Sequence, residues 1–235
     1  MDRKILAIIP ARGGSKGLPR KNIRLMLGRP LIAWTIEEAK KSKYIDRLVV
    51  CTEDKEITEM CCSLDVEIIR RPDDLATDSA SVHDTILYCL NILKEKESYI
   101  PEHVMLLQCT SPLRKAVHID EAIELLTRCN SEAVVSVCRE KHSPYWLKTV
   151  DEQGFTKDFL QYDKKSLVRR QDLPILYRLN GSIYISKTET YLNRKSFDGD
   201  GTQAYVMDSN DSIDIDDEID FLVAELLLKR TLLQS

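Results

Sequence analysis

Apolar residues gather in short unbroken runs along the chain: Ile5–Ile9, Leu48–Cys51, Val66–Ile69, Val104–Leu107 and Ala133–Cys138. Runs of this length, rich in β-branched residues, predict strands covered on both faces, as in a parallel sheet. Helical spacing fills the gaps. Leu31, Trp34, Ile36 and Ala39 share one helix face, Ile57, Met60 and Cys61 another, and further helices are predicted over Val82–Leu93, Val117–Thr127 and Asp216–Arg230. Strand and helix alternating over the first 140 residues predict an α/β layered domain, mostly a parallel sheet, with right-handed crossovers. The rhythm breaks near His142: residues 142–174 are polar, contain Pro144 and Pro174, and show no helix period. Alternation returns at Leu176–Ile185. The span 140–190 therefore reads as a small antiparallel insertion inside one domain covering 1–235. A long insertion of this kind serves as a lid, a contact between copies, or both. Trp34 reads as core and Trp146 as packing within the insertion.

Composition narrows the classes. At 235 residues, 43% hydrophobic and 31% charged, the chain can bury a core without disulfides or structural metal. A balance of 34 basic and 38 acidic residues gives no pull toward nucleic acid or an anionic membrane. That balance hides segregation. Residues 1–24 hold seven Lys or Arg against Asp2, whereas residues 208–220 hold seven acids and no base. Seven cysteines cannot all pair within the chain, and none forms a CxxC, so buried thiols in a reducing compartment are expected. No apolar run approaches a signal peptide or a membrane span, and the expected location is cytoplasmic.

The candidate chemistry lies at the loops. Three of the eight glycines fall within Ala11-Arg-Gly-Gly-Ser-Lys-Gly-Leu-Pro-Arg-Lys-Asn22, directly after the first strand. Glycines let backbone N–H groups approach an anion, and Arg12, Lys16, Arg20 and Lys21 supply charge for a polyphosphate. The loop is neither a Walker A motif, which needs a closing Gly-Lys-Ser/Thr, nor a GxGxxG turn. In Arg70–Ser81, hydroxyl and carboxylate side chains before a helix can read a base or a ribose, or Asp78 or Ser81 can simply cap that helix. Gln108-Cys-Thr-Ser-Pro-Leu-Arg114 follows another strand, where open α/β sheets bind ligands; the alternative is a helix entry capped by Thr110 or Ser111. Arg169, Arg170 and Arg178 offer guanidinium groups suited to a carboxylate or phosphate, or surface charge. Asp214 and Asp216 share one face of an extended segment and can meet one ion. Two hard carboxylates beside substrate phosphates suit Mg²⁺. Helix capping accounts for Asp216, Asp217 and Glu218, but poorly for Asp214.

Taken in order, Ile8–Asn22, Arg70–Ser81, Leu106–Arg114, Arg169–Tyr184 and Asp211–Asp216 resemble the motifs of the acylneuraminate cytidylyltransferases, the CMP-sialic acid synthetases, a group that includes legionaminate-type cytidylyltransferases. The resemblance covers nearly the whole chain and implies a nucleotide-diphospho-sugar transferase-like, Rossmann-like fold. It implies that Arg12, Gly13, Gly14, Ser15, Lys16 and Lys21 hold the triphosphate of CTP, with Asn22, Arg71 and Ser81 also at the nucleotide. Gln108 would bind the sugar, Arg170 would be the essential arginine, Arg178 its second, and Asn180 would close the motif. Asp214 and Asp216 would be catalytic ligands of Mg²⁺ (or Mn²⁺). Two departures stand out: Val82 where many relatives continue a hydroxyl run, and Cys109 where the pattern has Pro. Some relatives continue into a phosphatase-like domain, for which 235 residues leave no room.

The implied reaction joins CTP and a nine-carbon α-keto acid sugar into a CMP-sugar and pyrophosphate. N-acetylneuraminate is the default sugar, and Ser143–Lys148 looks at least as similar to relatives acting on legionaminate or related nonulosonates. The resemblance also implies a homodimer through the insertion, with no nucleic-acid or membrane partner. Two other classes compete. A dinucleotide-dependent oxidoreductase would need GxGxxG spacing, which fails. A non-catalytic nucleotide-binding module would have no use for Asp214 and Asp216 as a pair.

Overall fold

The computed structural model describes residues 4–15, 17–77, 80–160 and 173–234. The five apolar runs form strands β1 (Ile5–Pro10), β4 (Arg47–Thr52), β5 (Glu67–Arg70), β6 (His103–Leu106) and β7 (Ala133–Arg139). A two-residue pair, β2 (Leu25–Met26) and β3 (Arg29–Pro30), follows the first loop, and β8 (Lys148–Val150) pairs with β9 (Thr156–Asp158) in a small hairpin. Two longer strands, β10 (Tyr177–Lys187) and β11 (Thr202–Met207), complete the set. The helices are α1 (Leu31–Lys40), α2 (Lys55–Ser63), α3 (Val82–Glu97), α4 (Ala116–Arg128), α5 (Thr188–Arg194) and α6 (Glu218–Gln234).

Seven strands make one sheet in the order β11-β7-β10-β6-β1-β4-β5. β1 runs parallel to β4 and β6, β4 to β5, and β7 to β11, whereas β10 is antiparallel to both its neighbours. The sheet is mostly parallel and α/β, as the sequence predicts. The insertion is narrower than 140–190: the β8–β9 hairpin lies apart from the sheet, while β10 runs through its middle. Its alternating polar residues Asn180, Ser182 and Ser186 are buried like Ile183 and Ile185, so the strand is covered on both faces despite its alternation.

The continuous runs are explained by burial on both faces. In β1, Ile5, Ala7 and Ile9 pack with Ile32, Ile36, Val50 and Met105 on one side. Leu6 and Ile8 pack with Val49, Cys51, Ile86 and Leu106 on the other. A third apolar cluster, with Leu18, Met26, Trp34, Ile215, Phe221 and Leu228, ties α6 to the first thirty residues. Trp34 is core; Trp146 is exposed. Five cysteines are buried as expected, but Cys62 and Cys129 are exposed, and all seven are free thiols. No helix among the described residues is long and apolar enough to cross a membrane.

Candidate active site

The glycine-rich loop leaves β1 at the C-terminal edge of the sheet and forms one wall of a cleft of about 420 Å³. Arg12, Gly14, Ser15, Lys21 and Asn22 line it. The loop is braced from behind. Gly13 N–H donates to Glu53 Oε1 at 2.7 Å, Asn22 Nδ2 donates to the Arg12 carbonyl at 2.9 Å, and Arg12 Nη1 to the Thr77 carbonyl at 3.3 Å. Arg20, in the left-handed region at φ 55°, turns away from the cleft and grips Asp54 at 2.6 and 3.1 Å and Glu56 at 2.8 Å. Its hydrogen bonds hold the Asp54 carboxyl below the usual carboxylate range. Among the described residues, the loop's charge toward the cleft comes from Arg12 and Lys21, and Arg20 is a brace.

The opposite wall is acidic. Asp214 and Asp216 both face the cleft, with Ile215 between them fully buried, so the extended alternation predicted for this segment is present. Lys21 joins the walls: its Nζ donates to the Ile215 carbonyl and lies 3.9 Å from Asp216 Oδ1. Gly17 meets the same segment so closely that a Cβ on it would stand 2.2 Å from the Asp216 carbonyl oxygen. Only glycine permits that approach. Burial, more than the neighbouring Asp216 charge, pushes the Asp214 carboxyl above its ordinary value, while a Thr110 hydrogen bond and Lys21 pull it back. Helix capping falls to Asp217, which accepts from the Ile219 and Asp220 N–H groups at 2.8 and 3.0 Å, and Glu218 pairs with Arg24 at 2.6 Å.

The floor comes from two strand ends. Arg71, buried at the end of β5, lines the cleft while its Nε and Nη1 donate to Glu53 Oε2 (3.0 Å) and Thr85 Oγ1 (2.9 Å). Ser81 lines the cleft and also caps α3, accepting from Asp84 N–H at 3.3 Å. Gln108 and Thr110 line it from the β6 end. Neither Thr110 nor Ser111 caps a helix, because α4 begins only at Ala116. Val82 also faces the cleft, where no hydrogen bond from its side chain is available.

Three predicted contact residues stand elsewhere. Gly13 is behind the loop, engaged with Glu53. Asn180 is fully buried and spends its amide on Ser136 Oγ, Ser182 N–H and Ser212 Oγ, at 2.6, 3.2 and 2.9 Å, so it shapes β10 from inside. Arg178 pairs with Glu140 at 3.4 Å and reaches the Ser212 carbonyl at 3.4 Å, outside the cleft lining. Lys16 and Arg170 lie outside the described residues. Sequence reasoning missed Glu53, the brace of both Gly13 and Arg71, although it directly follows β4 as Gln108 follows β6.

A second hollow, about 290 Å³ and mostly apolar, adjoins the first and shares Gln108 and Val82 with it. Its walls are His83, Tyr184, Tyr191 and Phe197. Tyr191 and Phe197 stack with ring centroids 4.5 Å apart, and His83 Nδ1 meets Tyr191 Oη at 2.9 Å. A polar, charged cleft thus opens into an apolar room, with Gln108 at the doorway.

Comparison with known proteins bears on this arrangement. The family described as "Cytidylyltransferase" matches residues 6–228. An N-acylneuraminate cytidylyltransferase of Escherichia coli O18:K1:H7 is 37% identical over 229 residues, covering 95% of this chain and 52% of that protein. The chain thus spans about half the length of that relative. A CMP-N,N'-diacetyllegionaminic acid synthase of Legionella pneumophila subsp. pneumophila is 38% identical over 229 residues, covering 96% of this chain and 97% of that one. Among solved structures, CMP:2-keto-3-deoxy-manno-octonic acid synthetase complexed with CTP shares the fold at a TM-score of 0.71 and 15% identity, covering 97% and 99% of the two chains.

Proposed function

The chain belongs to the cytidylyltransferase family, and we propose that it transfers the cytidylyl group of CTP to a nine-carbon α-keto acid sugar, releasing pyrophosphate. The observation that carries this reading is the junction of the glycine-rich loop with the acidic segment, Gly17 against Asp216 and Lys21 on the Ile215 carbonyl. It sets a cationic wall for a triphosphate opposite two carboxylates, around one cleft. Such a transfer asks for positioning and charge neutralisation more than for covalent chemistry by the protein.

In the reaction, the sugar's anomeric oxygen forms a bond to the α-phosphorus while the bond from that phosphorus to the bridging oxygen breaks, and the hydroxyl proton is lost. Arg12 and Lys21 hold the leaving pyrophosphate's charge. Backbone N–H groups of Gly14 and Ser15 fit the phosphates, and Arg71 and Ser81 border the nucleoside end. Gln108, between the two rooms, orients the sugar, whose apolar or acylated substituents suit the second hollow. Lys16 and Arg170 carry the roles that the family resemblance gives them, on the triphosphate and the sugar.

Magnesium fits the donor set. Asp214 and Asp216 are hard oxygen ligands on one face, and no group of three or more His, Cys, Asp or Glu that could hold a metal occurs among the described residues. Two carboxylates with substrate phosphates and water completing the shell is the usual arrangement for Mg²⁺. Bound there, the ion would neutralise charge developing on the phosphates.

Two sugars have specific support: N-acetylneuraminate from the E. coli relative, and a legionaminate-type sugar from the Legionella relative, which matches over nearly its whole length. Pyrophosphate release from CTP with Mg²⁺, measured over a panel of nonulosonic acids, is expected with one or both. Release with none of them would leave only a nucleotide-binding module. We also take the protein as a cytoplasmic homodimer. Its hairpin region exposes the apolar side chains of Trp146, Val150, Phe155 and Phe159, which suit contact with a second copy. Sedimentation velocity is expected to show a dimer, and Phe155→Glu a shift toward monomer.

A further inference from the structure

We propose that Arg114 is a positioning residue that fixes the opening between β6 and β10, and through it the placement of Gln108 and Asp214; this rests on the cytidylyl-transfer reading above. The two strands pair with Lys187 opposite His103, Ile185 opposite Met105 and Tyr184 opposite Leu106. Continued by two residues, that register would set Ser182 opposite Gln108. The ladder ends before it does. Across the gap, one guanidinium nitrogen of Arg114, Nη1, donates to the Gln108 carbonyl at 3.2 Å and to the Ser182 carbonyl at 2.6 Å. Arg114 thus ties together two backbone positions that the sheet itself leaves apart.

Both positions carry the site. The Gln108 side chain stands in both rooms of the cleft. Ser182 follows Gly181, which has φ +74° and no room for a side chain: a Cβ there would stand 2.8 Å from Asp214 Oδ2 and 3.0 Å from Gln108 Oε1. The Asp214 and Gln108 side chains approach Gly181, and Arg114 holds the carbonyl of the next residue, Ser182, together with that of Gln108. A change in the width of the gap would move the sugar-facing amide relative to the carboxylate.

The cost of this device argues for its purpose. Arg114 is 1% exposed, its Nε and Nη2 have no hydrogen-bond partner among the described residues, and no carboxylate there lies within ion-pair distance. Burial lowers its pKa to about 10, which still leaves it charged at neutral pH. A buried charge with no hydrogen-bonded counter-ion, only the Glu38 carboxylate acting at a distance, is expensive, and an apolar side chain of similar volume would fill the space at less cost. What the apolar side chain lacks is a donor able to hold two carbonyls at once.

The test compares Arg114→Met, which removes the donors, with Arg114→Lys, which keeps a charged one. For Arg114→Met, the sugar KM is expected to rise about tenfold and kcat to fall, with the CTP KM within about twofold of wild type. Amide exchange in the unliganded protein is expected to accelerate over 107–114 and 179–184 and nowhere else in the sheet. Arg114→Lys is expected to recover part of both effects. Unchanged exchange in both segments, or KM values for sugar and CTP that rise together, would overturn the proposal. If Arg114→Met does not fold, the ratio of sugar to CTP KM and the same exchange in Arg114→Lys decide it. Exchange needs no substrate, so a wild-type protein that releases no pyrophosphate would sink the reaction while exchange alone would still decide whether Arg114 controls the gap.

Discussion

Asp214, proposed as a metal ligand, stands in the cleft at a cost to stability. Burial raises its carboxyl pKa in the folded protein, so the folded state pays to keep it ionised at neutral pH. That penalty is present above the raised value and is lifted as pH falls through it toward the ordinary carboxylate range. Asp214→Asn is therefore expected to raise the thermal midpoint at pH 7, with the gain fading as pH falls through the raised value and gone by the usual carboxylate range, as followed by calorimetry across pH. The same variant is expected to lose about 10²-fold or more in Mg²⁺-dependent turnover. Asp214, Asp216, Gln108 and Lys21 were legible because polar residues after apolar strands have few uses besides ligands and caps. Arg114 and Asn180 were not, since their work depends on which carbonyls and hydroxyls the sheet brings to them from 68 and 44 residues away. Arg20 misled for a related reason: its charge suits a phosphate as well as a carboxylate, and only the fold placed Asp54 beside it.

Among the elements, α6 is the part that completes the site without touching it. Phe221, buried against Met26, Trp34 and Ile215, is covered by the Arg24 guanidinium 4.7 Å from its ring, and Glu225 accepts from the Leu27 N–H at 2.9 Å. These contacts hold the start of the helix, and with it the Asp214–Asp216 segment, against the loop that follows β1. Phe221→Ala is expected to cost about 3–5 kcal/mol in urea unfolding, the usual loss for a large core aromatic. It should weaken CTP binding in the variant that remains folded. Five of the six parallel strands were readable because continuous apolar runs have one common explanation, burial on both faces; β11, more polar, was not. β10 was harder. Its alternation said antiparallel, and nothing local could say whether such a strand lies in an outlying hairpin or between β6 and β7 in the middle of the sheet.

At the scale of the molecule, the formal charge of −4 hides a basic beginning and an acidic end, parts of which face each other across one cleft. The segregation was visible in the sequence; the meeting was not, because it depends on contacts such as Lys21 with the Ile215 carbonyl, separated by 194 residues. This separation has a consequence in time. At about 5–20 residues per second of synthesis, the cationic loop exists for roughly ten to forty seconds before its acidic counterpart has been made. Throughout that interval the growing chain has one wall of the cleft and none of the carboxylates opposite. On the proposed function, competence for chemistry therefore arrives late and all at once, when the last strand-to-helix segment docks, and a chain interrupted before residue 214 would have most of its sheet and lack the proposed metal ligands.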